Sequence, residues 1–93
     1  MKRFSKYLIF SLFFFAALSA SAQSDEKAIR KGNRYYKSGN YEQAIASYRE
    51  ALDIRPNNAN AQFNLGDVYY AKQAYDTAYN EFQKVLDISP DAK

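Results

Sequence analysis

The sequence of 93 residues contains no histidine and no cysteine. It therefore offers no imidazole base, no thiolate nucleophile, no disulfide and no ordinary zinc site. Carboxylates, amines, hydroxyls and phenols remain, and no acidic pair forms a motif suited to hydrolysis. No catalytic residue, metal or cofactor is assigned, and the chain reads as non-enzymatic. The side chains that do suggest chemistry suit recognition. Of nine tyrosines and seven phenylalanines, eight tyrosines with Phe63 and Phe82 lie beyond residue 22, interleaved with asparagine and aspartate. Aromatics give apolar contact with little entropy to lose, and asparagine amides can pair with a peptide backbone.

Charge narrows the partner further. The net charge of +3 is carried by Lys2, Arg3 and Lys6, and without them the basic and acidic residues balance. Nucleic acid thereby loses its main electrostatic support. Lys27, Arg30, Lys31 and Arg34 share one helical face. They read as a solvated outer surface or, more sharply, as a dock for an acidic partner or lipid headgroups.

Those first basic residues belong to a segment that reads as an export signal. A basic start precedes an apolar run from Tyr7 to Leu18, broken only by Ser11, and Ala20-Ser21-Ala22 supplies small residues for a signal peptidase. The expectation is a signal peptide over 1–22, cleaved between Ala22 and Gln23, and a periplasmic or secreted chain that does not span the membrane once cleaved. The alternative is a retained anchor, although the run falls short of the roughly 20 residues a spanning helix needs. No Cys follows the small residues, which excludes a lipoprotein.

The elements that must position the recognition residues come in two copies. Setting 25–58 over 59–92 aligns, without a gap, Gly32/Gly66, Tyr35/Tyr69, Tyr36/Tyr70, Tyr41/Tyr75, Ala44/Ala78, Leu52/Leu86, Asp53/Asp87, Ile54/Ile88 and Pro56/Pro90. That is far more than the two or so identities expected by chance from average residue usage. Each copy has two apolar stripes at three- and four-residue steps, hence two helices: about 26–38 with 41–54, and 60–72 with 75–88. Between the first two, Gly39 suits a left-handed helix end and Asn40 an N-cap, with Gln43 three residues on. Proline ends the second helix of each copy. The turn Lys72-Gln73-Ala74 lacks both glycine and cap, so it is expected to be less sharply defined. The unit 25–58 carries seven basic and five acidic residues, the unit 59–92 two and five.

Leu65-Gly66, Tyr69, Ala78, Phe82 and Pro90, with Gly32, Tyr35, Ala44, Tyr48 and Pro56, resemble the tetratricopeptide repeat. Ala28 and Gln62 depart from it at the first aromatic, and Lys31 stands where leucine is usual. The resemblance implies an all-α fold of two helix-turn-helix repeats, 25–58 and 59–92, forming one domain over 23–93. It also implies that the first helix of each repeat lines a concave groove for a peptide or protein ligand. The groove residues would be Ile29, Asn33, Tyr36, Lys37, Phe63, Asn64, Asp67 and Tyr70, unless Ile29, Phe63 and the tyrosines only pack between units. Asn33 and Asn64 take two positions of a carboxylate-binding repeat groove. Ile29 replaces its first lysine, however, and its last two cations would fall in a third unit.

The export signal, with Ile29-Arg30-Lys31-Gly32-Asn33 and Phe63-Asn64-Leu65-Gly66-Asp67, resembles a narrower group, the exported repeat proteins of the Bacteroides aerotolerance operon. That likeness implies envelope partners carrying von Willebrand A domains. Two repeats leave the last helix under-covered, so Tyr79, Phe82, Val85, Leu86 and Ile88 are expected to form a terminal interface. Self-association would cover it, or further repeats beyond Lys93. In the second case the chain is the opening part of a longer repeat protein whose specific function lies downstream.

Overall fold

The computed structural model describes residues 24–89. The expected export signal and its cleavage site lie outside them, as does Pro90. Four helices follow one another: α1 over 24–37, α2 Tyr41–Ile54, α3 Ala59–Ala71 and α4 Tyr75–Ile88. Among the described residues there is no strand, and no helix is long and apolar enough to cross a membrane. The chain is an all-α repeat fold.

The apolar stripes meet where the sequence places them. Ala44, Ile45 and Tyr48 of α2 form one cluster with Leu65 and Val68 of α3, flanked by Ile29, Tyr35, Tyr41, Leu52 and Tyr69. Ala28, Ala51 and Ala61 form a second, and their small side chains let α1, α2 and α3 approach closely. Burying a side chain such as Leu65 contributes about 1.5–3 kcal/mol. Within each pair an aromatic ring lies on a glycine. A Cβ on Gly32 would stand 2.6 Å from the Tyr48 ring, and one on Gly66 would stand 2.5 Å from the Phe82 ring.

Polar contacts tie the pairs together. Asn58 caps α3 by accepting from the Ala61 amide at 3.0 Å, and its Nδ2 donates to Asp25 at 2.9 Å. The same carboxylate faces Arg55 Nε at 3.4 Å. Arg49 donates to the Tyr69 hydroxyl at 2.7 Å, and Lys72 pairs with Glu42. At Gln62, where the repeat pattern calls for an aromatic, the amide is buried and donates to the Glu81 carboxylate at 2.5 Å and to its backbone carbonyl at 3.0 Å.

Two local expectations are corrected. Asn40 precedes α2 but makes no side-chain cap; its Nδ2 donates instead to Ser38 Oγ at 3.3 Å, across the turn. Ser38 in turn donates to the Arg34 and Tyr35 carbonyls at the end of α1. The second inter-helix turn is as well defined as the first. Gly39 has φ 79° and Gln73 φ 65°. Gly39 and Asn40 donate to the Tyr36 and Tyr35 carbonyls, and Gln73 and Ala74 donate to those of Tyr70 and Tyr69 in the same way. The closing hydrogen bonds, with the helices on either side, hold Gln73 left-handed without a glycine. That conformation costs an L-residue roughly 1–2 kcal/mol. Gln73→Gly is therefore expected to stabilise the fold by about 0.5–1 kcal/mol, after allowance for the freer unfolded chain. The urea midpoint should rise, and a fall would contradict the assigned turn.

Candidate functional site

The first helices of the two pairs lie side by side, and their polar residues meet over the Tyr48 hydroxyl. Asn33 and Tyr36 of α1, Asn64 and Asp67 of α3, and Tyr48 of α2 line a hollow of about 90 Å3. Tyr48, only 2% exposed, donates to Asn33 Oδ1 at 2.5 Å, and Asn64 Nδ2 approaches the same oxygen at 3.5 Å. Three- and four-residue helical spacing places 33 and 36 together, and 64 and 67 together. Four of the eight expected groove residues thus converge.

Electrostatics in the hollow follow from burial. The Tyr48 phenol is pushed up to about 12 by burial first, then by the neighbouring Tyr36 and Asp67. It therefore stays protonated and keeps donating to Asn33. Burial also raises the Asp67 carboxyl above its ordinary value. No cation among the described residues stands within ion-pair distance of it.

The Tyr48 shift sets a pH dependence. Below about pH 10 the phenol is protonated in both folded and unfolded chains, and its contribution is fully present. Between about 10 and 12 the unfolded chain releases the proton first, so stability falls as pH rises. Tyr48→Phe should weaken that alkaline fall, read as the melting temperature against pH. An unchanged profile would contradict the buried phenol.

The other expected groove residues divide. Tyr70 is 61% exposed and meets Tyr75 edge-on at 5.2 Å, as Tyr36 meets Tyr41 at 5.7 Å one repeat earlier. These ring pairs flank the inter-helix turns. Lys37 is exposed near the end of α1. The remaining two expected groove residues do not line the hollow. Ile29 is partly buried against both core clusters and acts as packing. Phe63 faces away from the hollow: its ring lies 5.4 Å from Phe82, and together with Val85 and Leu86 they line an apolar hollow of about 240 Å3 on the far side of the second pair.

That apolar hollow is the expected terminal face, with changed membership. Phe82, Val85 and Leu86 line it, Val85 at its floor, and Phe63 joins them. Tyr79 lies beyond the lining and is 63% exposed, whereas its repeat equivalent Ile45, covered by α3, is 8% exposed. Ile88 is not among the residues lining the hollow. Its equivalent Ile54 stays exposed even with a neighbouring pair in place. The basic row of α1 occupies the opposite end. Lys27, Lys31 and Arg34 are exposed at positions where α3 has the buried Ala61, Leu65 and Val68.

A family model described as TPR repeat matches residues 32–73, and another described as tetratricopeptide repeat matches 59–92. Among curated proteins, the mitochondrial import receptor subunit TOM70 of Rattus norvegicus is 42% identical over 45 residues, 48% of this chain and 7% of that protein. The Homo sapiens protein is 44% identical over 39 residues, 42% of this chain and 6% of its own length. The chain therefore corresponds to a small part of these relatives.

Proposed function

Residues 32–92 being tetratricopeptide repeats, we propose that the chain is a non-catalytic scaffold that holds a peptide or partner protein between α1 and α3. The observation that carries this reading is the polar hollow between the first helices of the two repeats, floored by Tyr48 of α2, where Asn33, Tyr36, Asn64 and Asp67 converge. A receptor subunit among the similar proteins agrees with a binding role. The finer reading is an exported protein, cut between Ala22 and Gln23 and acting in the periplasm. Its partners there would be envelope proteins, those with von Willebrand A domains first among them. It rests on the signal-like first 22 residues and on the likeness to the exported aerotolerance repeat proteins.

One experiment reads both levels. A photo-crosslinking phenylalanine is placed at Tyr70, beside the groove, or at Gln83, exposed on α4. The protein is then recovered from the envelope fraction of irradiated cells. Adducts at 70 and not at 83, on a chain whose first residue is Gln23, are expected. Equal adducts at both positions would sink the groove reading, and a chain retaining residue 1 would sink cleavage. A second reading, that these pairs open a longer array, is favoured by the exposure of Tyr79 where Ile45 is covered.

A further inference from the structure

The hollow between α1 and α3 has a definite chemical bias, and naming its ligand group rests on the groove reading above. It is small, about 90 Å3, and lined by polar side chains with the Tyr36 and Tyr48 rings. Its strongest donor is already committed, because the Tyr48 hydroxyl bonds Asn33 Oδ1, which Asn64 Nδ2 also approaches. Besides the amide N–H groups of Asn33 and Asn64, what stays free is a charged acceptor. Asp67 lines the hollow with no hydrogen bond or ion pair to a described residue. Burial raises its carboxyl above the ordinary value, the direction expected of a carboxylate that lacks a counter-ion.

We propose that this hollow seats an arginine side chain of the bound peptide, with Asp67 as its counter-ion and the Tyr36 ring beside it. A guanidinium is flat, presents paired N–H groups that match a carboxylate, and stacks on aromatic faces. An acidic group entering the same space would meet Asp67 with no cation to offset it. The sign of the site is thus opposite to that of a groove built to hold a terminal carboxylate.

A random dodecapeptide phage library is selected on the purified full chain. The best peptides are then synthesised and titrated by fluorescence anisotropy. Selected peptides should share an arginine. Replacing it with citrulline, which keeps the shape and removes the charge, should weaken binding at least tenfold. Asp67→Asn should weaken the parent peptide to a similar extent, and citrulline should then cost nothing further. Asp67→Asn should melt no lower than the parent protein, since it removes a partly desolvated charge, so lost binding would not report unfolding. Peptides whose binding falls on Tyr70→Ala or Asn33→Ala, yet is indifferent to citrulline, would overturn the arginine assignment while the groove stands. Peptides indifferent to all three groove substitutions bind elsewhere and would overturn both readings.

Discussion

Gly32→Leu should be the most damaging single substitution at the helix crossings, worse than Gly66→Leu. Overpacking of this kind costs typically 1–3 kcal/mol, and in a domain of this size each kcal/mol lowers the melting temperature by roughly 4–8 °C. At both glycines a Cβ would fall within 2.6 Å of a ring carbon, so the partner ring must move. The rings differ in their freedom to do so. Tyr48 is enclosed by the core and tied through its hydroxyl to Asn33. Phe82 borders the open apolar hollow and can swing into it. Far-UV circular dichroism and thermal melts of the two variants check this. Parent-like melting in both would contradict the glycine–ring contacts, and greater damage at Gly66 would contradict the enclosure of Tyr48.

Extending the protein with a third helical pair should give a large effect of opposite sign, and only for one choice of sequence. A second copy of 59–92 placed after residue 92 should raise the melting temperature by more than about 10 °C. Neighbour interfaces contribute much of the stability of such arrays. Its Ala61, Leu65 and Val68 equivalents would meet Phe63, Phe82, Val85 and Leu86, as those residues of α3 meet the first pair. A copy of 25–58 should give little gain. It would press Lys27, Lys31 and Arg34 equivalents onto the same apolar surface, and burying unpaired charge is costly. Equal stabilisation by both extensions would show that the face does not discriminate. For the same reason head-to-tail stacking of identical copies is disfavoured.

Much of this architecture is legible in the sequence because the same pattern is written twice. The four helices fall within about two residues of the expected spans, since their limits rest on proline, glycine and three- and four-residue apolar steps. Asn33, Tyr36, Asn64 and Asp67 converge as the repeat implies. What escapes is decided by tertiary contacts that no local pattern encodes. Gln73 adopts a left-handed conformation because the helices on either side demand it. Gln62 reads as a lost aromatic, and only the fold shows its amide meeting Glu81. Ile29 and Phe63 occupy equivalent positions, but the first has a neighbouring pair to cover it and the second has none among the described residues. The Asn58 cap and the Asp25–Arg55 pair depend on the approach of α1 to α3, although an asparagine before an Ala-rich helix is a signal that could have been read.

Two repeats built on one pattern could let an extended ligand bind in two positions, shifted by one repeat, with similar affinity. The Tyr48–Asn33 hydrogen bond removes that ambiguity. The equivalent residue of the second repeat is Phe82, which has no hydroxyl, and the partner of Asp67 across the repeat is Asn33, which carries no charge. Polar floor and acidic wall therefore coincide at one point along the molecule. A bound chain would be held in a single phase, unable to slip by a repeat, and whatever it carries would be presented at a fixed distance from that point.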